Sequence, residues 1–293
     1  MSVSATPLEG LSFGAVVKGP DLRSLDQESW TAIEDAFHAY GVIVLKGQSL
    51  DVDEHVAFAK RFGDIEMQTA STMRADFVGR PVVLDVSNVD DDDNLITDRN
   101  HPQTRYLGGN EGWHSDSSFK EVSAKASVLH AREVPTRGGA TGYADARGGY
   151  DALPDDRKAE LEGMRAYHSL EYSQAVAKAT DDEVPADPTT MAGAWHSLVR
   201  IHPVTGRRSL FIGRHAAMVE GMSVEKSRTF LDELEEHTCQ GPRVYYHAWE
   251  VGDVVVWDNR CMLHRATEWD LNERRVLRHV RVAGDPTRTS KNA

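Results

Sequence analysis

Apolar residues in the first third of the chain recur at helical spacing. Trp30, Ile33 and Phe37 lie three or four positions apart, which predicts one face of an amphipathic helix. Ser24 and Asp26 are both suited to cap the N-terminus of that helix. We therefore expect a helix that starts after one of these two residues and packs its apolar face onto a core.

Two further segments are predicted to be helical. Asp51 is followed three positions later by Glu54, which is typical of a capping box, and Gly63 is the predicted stop. The third helix is predicted over residues 223–237. Its expected inward-facing residues are Val224, Phe230, Leu231 and Leu234.

Short apolar runs separated by turn residues predict a β-rich fold. The candidate strands are residues 12–17, 41–47, 82–86, 124–131, 142–144, 166–170, 209–212, 244–247, 253–257 and 276–283. Many short strands with turns between them favour a β-sandwich or barrel. Two polar stretches, residues 89–109 and 179–192, are predicted to be long irregular loops.

Composition narrows the class of protein. The chain has 293 residues with 33 Lys and Arg against 46 Asp and Glu, a net charge of −13. This charge argues against nucleic acid or an anionic membrane as the main partner. Two cysteines, no signal-like start and no apolar run of about 18 residues indicate a soluble cytoplasmic protein. We expect a single domain over residues 1–293 and a homo-oligomer.

Three residues are candidates for a metal centre. His114 and Asp116 are two positions apart, so on a strand they would project from the same face. His264 is the best candidate for a third ligand, because the chain returns with it after a strand and a turn at Asp258 and Asn259. Two imidazoles and one carboxylate form the facial triad of non-heme Fe(II) oxygenases.

An arginine that could bind a cosubstrate follows the candidate metal ligands in the sequence. Arg275 lies eleven residues after His264. An arginine near the metal but beyond bonding range can hold a distal carboxylate with two parallel hydrogen bonds. A 2-oxoacid bound to iron through its keto and C1-carboxylate groups would need such a partner.

Three segments carry a family resemblance: GNEGWHSDSSF, RGGATGYADARGGYDAL and VVVWDNRCMLHRA. They resemble the Fe(II)/2-oxoglutarate dioxygenases of the taurine dioxygenase and dichlorophenoxyacetate dioxygenase family, and the similarity runs from residue 14 to residue 285. Within that family, SLFIGRHA and VVVWDNRC are most similar to the aryloxyalkanoate (phenoxypropionate) dioxygenases.

The resemblance implies a mainly β fold with flanking helices, the double-stranded β-helix or cupin-like jelly roll. It implies that His114, Asp116 and His264 bind Fe(II). Thr141 and Arg275 match the residues that bind the distal carboxylate of 2-oxoglutarate. Asn110 and Ser117 fall where the family lines its substrate pocket.

One position departs from the family pattern. The taurine enzymes have an arginine four residues after the one that binds 2-oxoglutarate, and this chain has His279 there. Arg278 is adjacent, but a neighbour on a strand points to the opposite face. We therefore expect that a substrate anion meets His279 together with Arg214 or His215, and that sulfonate is not the preferred anion.

The resemblance also implies the reaction. O2 and 2-oxoglutarate are consumed, a C–H of a small organic acid is hydroxylated, and succinate and CO2 are released, with ascorbate as the reductant in vitro. An aryloxyalkanoate hydroxylated beside its ether oxygen would collapse to a phenol and a 2-oxoacid. The alternatives are a hydroxylase of a sulfonate, alkyl sulfate or amino-acid-like metabolite, or a non-catalytic metal-binding jelly roll.

Overall fold

The computed structural model describes residues 3–67, 82–178 and 186–287. Strands dominate this part of the chain. They are β1 (Ser4–Pro7), β2 (Ala15–Lys18), β3 (Val42–Leu45), β4 (Leu84–Ser87), β5 (Ala126–Glu133), β6 (Thr141–Asp145), β7 (Arg165–His168), β8 (Ala194–Ser197), β9 (Val199–Ile201), β10 (Arg208–Leu210), β11 (Ala216–Val219), β12 (Val244–His247), β13 (Val254–Asp258), β14 (Met262–Ala266) and β15 (Val276–Val282).

The strands form one large sheet and several small ones. The large sheet has seven strands in the order β1-β2-β3-β13-β5-β15-β4, and all of its pairs are antiparallel except β2 with β3. A three-stranded sheet has the order β12-β6-β14. Two smaller sheets, β11-β7-β8 and β10-β9, complete the strand pairing of the described residues.

Helices cover the outside of these sheets. They are α1 (Gln27–Tyr40), α2 (Val52–Lys60), α3 (Pro102–Gly108), α4 (Ala146–Asp151), α5 (Asp155–Leu161), α6 (Leu170–Lys178) and α7 (Val224–Thr238). Asp26 caps α1, and Asp51 with Glu54 forms the predicted capping box of α2. In the described part of the chain, we find no helix that is long and apolar enough to cross a membrane.

The large sheet buries both of its faces. Alternate residues of β3, β5, β13 and β15 pack against α1 and α2, for example Ile43, Val128 and Val280. The opposite residues, such as Leu129 and Trp257, pack towards the three-stranded sheet through Tyr143, Met262 and their neighbours. The space between these two sheets is the interior in which the candidate site lies.

The helices and strands predicted from the sequence agree with the observed ones in type more often than in their first and last residues. The mainly β class with flanking helices is confirmed. The prediction of an irregular loop over residues 89–109 was wrong for its last part, which forms α3; this helix starts with Pro102 and is capped by His101. Part of the loop predicted at 179–192 lies outside the described residues, and Pro188–Thr190 within it is a 3-10 turn. Residue 63 does not end α2, whose last residue is Lys60.

Candidate active site

Backbone pairing brings the two candidate imidazole ligands together. The large-sheet strand β13 ends at Asp258, the chain turns, and β14 carries His264 into the three-stranded sheet. His114 forms an isolated antiparallel bridge with His264, with N···O distances of 3.0 and 2.8 Å in the two directions. The two ring centroids are 4.1 Å apart. Residues paired this way point their side chains to the same face.

Asp116 completes the group by a route that differs from the predicted one. The segment after His114 is a turn and not a strand, and Ser117 has a φ of +54°. Even so, the turn places the Asp116 carboxylate oxygen Oδ2 3.7 Å from His264 Nε2. Ligand atoms of the three residues all lie within 4.8 Å of one another, and all three side chains are buried. The turn therefore brings the Asp116 side chain beside the two histidines, where the predicted strand alternation would also have placed it.

A hydrogen-bond network orients the Asp116 carboxylate. Ser127 Oγ donates to Asp116 Oδ2 at 2.6 Å, and Asn259 Nδ2 donates to Ser127 Oγ at 2.9 Å. Asn259 Oδ1 accepts from the Asp116 backbone N–H at 3.1 Å and from the Trp257 indole at 3.0 Å. Both ends of the Asn259 amide are thus engaged in fixing the carboxylate beside the imidazoles.

Burial and charge set the protonation of this group. Desolvation lowers the pKa of His114 to about 3 and that of His264 to about 4, so both rings are neutral at pH 7. Burial opposes ionisation of Asp116, but His264, His279 and Arg281 outweigh it and the carboxyl pKa is lowered. Two neutral imidazoles and one carboxylate are the protonation states that metal ligation requires.

The group therefore fits a divalent metal. The His114 Nδ1 lies 2.8 Å from the Gly112 carbonyl oxygen, so that nitrogen carries the proton and Nε2 keeps its lone pair for a metal. Two nitrogen donors and one carboxylate suit Fe(II).

A second group of potential metal ligands in the described residues fits less well. It consists of His38, His202 and Asp258. The Asp258 carboxylate already accepts from both Arg260 and His202, so a metal would have to displace a guanidinium. The three residues around Asp116 remain the candidate metal centre.

Arg275 and Thr141 share the cavity with the candidate metal ligands. Arg275 is 2% exposed, its guanidinium lies over the Trp269 ring at 4.9 Å, and its Nε donates to the Gly139 carbonyl oxygen at 3.0 Å. Its Nη1 is buried and has no hydrogen-bond partner among the described residues. The Trp249 indole donates to Thr141 Oγ1 at 3.0 Å and so holds that hydroxyl on the cavity wall. A buried cation with an unused donor is a place for a carboxylate.

The cavity opens to solvent, and the empty space within it and at its mouth is about 530 Å³. Asn110 and His279 are on its wall, as the sequence predicts. The His279 ring stacks on Trp257 at 5.5 Å, and its Nε2 is 3.5 Å from Asp116 Oδ2. Desolvation lowers the pKa of His279 to about 4, so the ring is neutral at pH 7. The other lining residues in the described part of the chain are Leu84, Val86, Tyr106, Leu129, Trp257, Ala266 and Arg281.

Three other predicted residues lie behind the cavity wall. Ser117 is fully buried and donates to Glu66 Oε1 at 2.8 Å. Arg214 donates to the carbonyl oxygens of Gly109 and Ser173, and so ties the turn after α3 to α6. His215 is buried against the His114 ring, with centroids 5.5 Å apart, and its Nδ1 is 2.8 Å from Ser173 Oγ.

Two cavity residues with polar side-chain groups near the candidate metal ligands, Tyr106 and Arg281, are absent from the sequence-based site. Strand alternation would have found Arg281, because it is two positions after His279 on β15 and shares its face. Tyr106 lies on α3, inside the stretch that the sequence predicts to be a loop. Its place could therefore not be predicted from a strand or helix period.

Known proteins resemble this chain over nearly its full length. Residues 4–282 match the family described as "Taurine catabolism dioxygenase TauD, TfdA family". A (S)-phenoxypropionate/alpha-ketoglutarate-dioxygenase of Sphingobium herbicidovorans is 41% identical, covering 96% of this chain and 94% of that protein. An alpha-ketoglutarate-dependent 2,4-dichlorophenoxyacetate dioxygenase of Cupriavidus pinatubonensis is also 41% identical, covering 97% and 99%.

A solved structure matches the fold as well. It is the crystal structure of AAD-2 in complex with Mn(II) and N-oxalylglycine, 35% identical with a TM-score of 0.86, covering 99% of this chain and all of that one. The sequence matches and the fold match point to the same family. The cluster of two histidines and one aspartate, with a buried arginine nearby, fits that family as well. The chain belongs to the TauD/TfdA family and is a 2-oxoglutarate-dependent dioxygenase.

Proposed function

We propose that this enzyme hydroxylates a C–H of an aryloxyalkanoate-like carboxylic acid, with cleavage of the ether to a phenol and a 2-oxoacid. The observation that carries the proposal is one cavity that contains His114, Asp116 and His264 at one wall and Arg275 beside them. The phenoxypropionate and 2,4-dichlorophenoxyacetate dioxygenases, at 41% identity, support the substrate class.

Each residue has a role in this proposal. His114, Asp116 and His264 hold Fe(II), and Ser127 and Asn259 keep the carboxylate aligned. Arg275 binds the distal carboxylate of 2-oxoglutarate through its unused Nη1, with Thr141 as the second partner. Burial lowers the pKa of Arg275 to about 10, which leaves it charged at neutral pH. When bound, Fe(II), 2-oxoglutarate and O2 supply the oxidising power that converts C–H to C–OH.

The rest of the cavity suits an aromatic acid. Leu84, Val86, Leu129 and Trp257 give it apolar walls, which exclude water and accept a ring. Hydroxylation at the carbon that bears the ether oxygen yields a hemiketal or hemiacetal. That product releases the phenol without further help from the protein.

The two facing sheets, and the turn that takes the chain from β13 into β14, support a double-stranded β-helix as the fold type. The proposed setting is the cytoplasm, where cellular reductants would replace the ascorbate of an assay in keeping iron ferrous. The fold type and the cytoplasmic setting are inferred from the family and the composition. The substrate assay tests neither of them, because it needs only the protein, the metal and the cosubstrate.

The test is a substrate panel read by succinate release. Protein with Fe(II), 2-oxoglutarate and ascorbate is given both enantiomers of aryloxypropionates, aryloxyacetates, alkyl sulfonates and alkyl sulfates. We expect stoichiometric phenol and succinate with at least one aryloxyalkanoate, and none with His264→Ala. Succinate release that responds only to sulfonates or sulfates would contradict the proposed substrate class.

A further inference from the structure

A second cavity lies apart from the candidate metal ligands, and among the described residues it shares no lining residue with the catalytic cavity. It is formed by α1, the segment before β5, the hairpin of β9 and β10, and the turn at Arg260. Ser123, Arg200 and His202 are its buried lining residues, and the exposed Val204 lies at its mouth. The empty space within it and at its mouth is about 760 Å³, which is enough for a small organic molecule.

Arg200 is a buried cation that only neutral groups hold. Its residue is 8% exposed, and its guanidinium lies 3.6 Å from the centre of the Phe211 ring. Nη1 donates to Ser123 Oγ at 3.1 Å, and Nη2 donates to His196 Nδ1 at 2.8 Å. Burial lowers the pKa of His196 to about 4 and that of Arg200 to about 10. At pH 7 the imidazole is therefore neutral and the guanidinium is charged.

Two other buried arginines show what Arg200 lacks. Arg147 is paired with Asp145 at 2.8 Å, and Arg260 donates to Asp258 through both Nε and Nη2. No carboxylate of the described residues is paired with Arg200, and burial is the one influence on its pKa. A desolvated charge without a partner is costly, and a ligand that brings a carboxylate would remove that cost.

We propose that this cavity is a second ligand site, which binds a small monocarboxylic acid with its carboxylate at Arg200. Nη1 and Nη2 each use one of their two N–H groups in the bonds to Ser123 and His196, so donors remain for the ligand. Ser123 Oγ acts only as an acceptor among the described residues, so its hydroxyl proton can serve the same carboxylate.

The rest of the lining sets the class of acid. Ile201 and Val204 offer apolar surface to a short alkyl or aryl body. Glu34, Asp285 and Lys125 also line the cavity, two carboxylates against one ammonium group. This excess of negative charge disfavours a doubly charged ligand such as inorganic phosphate. A monocarboxylate of about the size of benzoate meets both conditions.

The experiment measures benzoate binding by calorimetry, with Mn(II) and 2-oxoglutarate present and O2 excluded. Benzamide is the uncharged analogue, and inorganic phosphate is the doubly charged anion. Wild type should bind benzoate about 30-fold more tightly than benzamide, and Arg200→Gln should lose about 30-fold for benzoate and no more than about threefold for benzamide. Benzoate binding that is the same in Arg200→Gln as in wild type overturns the proposal, and so does phosphate binding as tight as that of benzoate.

A charge added at the mouth shows where the benzoate binds. Val204 is 51% exposed, so Val204→Glu should fold normally and should weaken benzoate binding about fivefold by repulsion. Val204→Gln has the same shape without the charge and should stay within about twofold of wild type. Val251→Glu adds the same charge at an exposed valine that does not line the cavity, and it should match wild type.

The changes at residues 200 and 204 do not touch the catalytic cavity, so a benzoate bound there would be unaffected by them. The loss of one bound benzoate per chain in Arg200→Gln would therefore identify the second site. If Arg200→Gln does not fold, the two variants of Val204 decide the matter. Equal benzoate affinity in Val204→Glu and Val204→Gln would reject the site.

Discussion

Buried ionisable side chains at this site are arranged so that each is stable in the form the chemistry needs. The imidazoles of His114 and His264 are neutral because burial lowers their pKa values to about 3 and 4. Asp116 stays ionised although it is buried, because its surroundings, among them the charged Arg281, lower the pKa of its carboxyl group. Arg275 is held by a ring face and one carbonyl, which leaves its Nη1 for a ligand.

Arg275→Ala removes the charge partner of the distal carboxylate of 2-oxoglutarate. Breaking one member of such a desolvated pair costs several kcal/mol, so the KM for 2-oxoglutarate should rise about a hundredfold. Initial rates over a range of 2-oxoglutarate concentrations measure this. The control is Arg274→Ala, because Arg274 faces outwards to Asp93 and Glu133. A KM close to that of wild type would mean that another cation binds the cosubstrate.

Ser127→Ala tests the orientation of the metal carboxylate. Ser127 touches no substrate in the proposed arrangement, and its hydroxyl bridges Asp116 and Asn259. Losing a partner of a metal ligand typically weakens metal affinity by about 10- to 100-fold, and we expect a loss of that size here. Mn(II) or Co(II) titration measures the affinity directly. Ser209→Ala, which removes a buried hydroxyl bonded to the Arg260 carbonyl oxygen, should leave metal affinity unchanged.

At the scale of elements, tight turns between strands decide where the site residues end up. The turn at Gly138 and Gly139 has φ values of +73° and +65°, a region that favours glycine. A Cβ on Gly139 would be 3.0 Å from Arg275 Cδ and 3.0 Å from Pro135 Cγ. This turn therefore leaves space for the Arg275 side chain to cross it.

Gly139→Ala should displace the Arg275 guanidinium as well as strain the turn. The strain costs about 1 kcal/mol of stability, and we expect the KM for 2-oxoglutarate to rise about tenfold. Gly163→Ala is the matched control, because Gly163 has a φ of +74° and no neighbouring atom lies within 4 Å of where its methyl group would sit. Gly163→Ala should lose similar stability with an unchanged KM. Equal KM values in both variants would show that the turn does not position Arg275.

At the scale of the whole molecule, buried neutral histidines couple stability to pH. His55 and His130 face each other at 5.6 Å, and His168 and His196 at 5.4 Å, away from the candidate metal ligands. Desolvation lowers the pKa of His55 to about 3 and those of His130 and His196 to about 4, and the pKa of His168 also falls. Between a pH of about 4 and a pH of about 6.5, the unfolded chain therefore binds a proton at each of these histidines that the folded protein does not bind.

Stability should therefore be complete above a pH of about 6.5 and fall as the pH drops from there towards about 4. At a pH of about 5.5, each of these buried neutral histidines lowers the free energy of unfolding by on the order of 1 kcal/mol. Urea unfolding at a series of pH values measures the slope. His55→Leu should make the slope shallower by about one proton. A stability that is flat over the weakly acidic range would contradict this assignment.

Local patterns in the sequence determined much of this protein. Caps at Asp26 and Asp51, short β-branched runs, and the two-residue spacing of His114 and Asp116 depend on neighbours within a few residues, so they could be predicted. Motif resemblance extended this to Thr141 and Arg275, which the structure brings into the same cavity. The expected homo-oligomer and single domain remain predictions.

Only the tertiary structure decided which residues share the cavity. Arg214 and His215 follow a predicted strand, but their side chains form hydrogen bonds with Gly109 and Ser173 behind the cavity wall. Asn259 and Ser127 are 132 positions apart, and Tyr106 comes from a short helix in a polar stretch. Such contacts follow from how two sheets face each other across a core. That long-range packing leaves no period in the sequence, so it could not be predicted from local pattern.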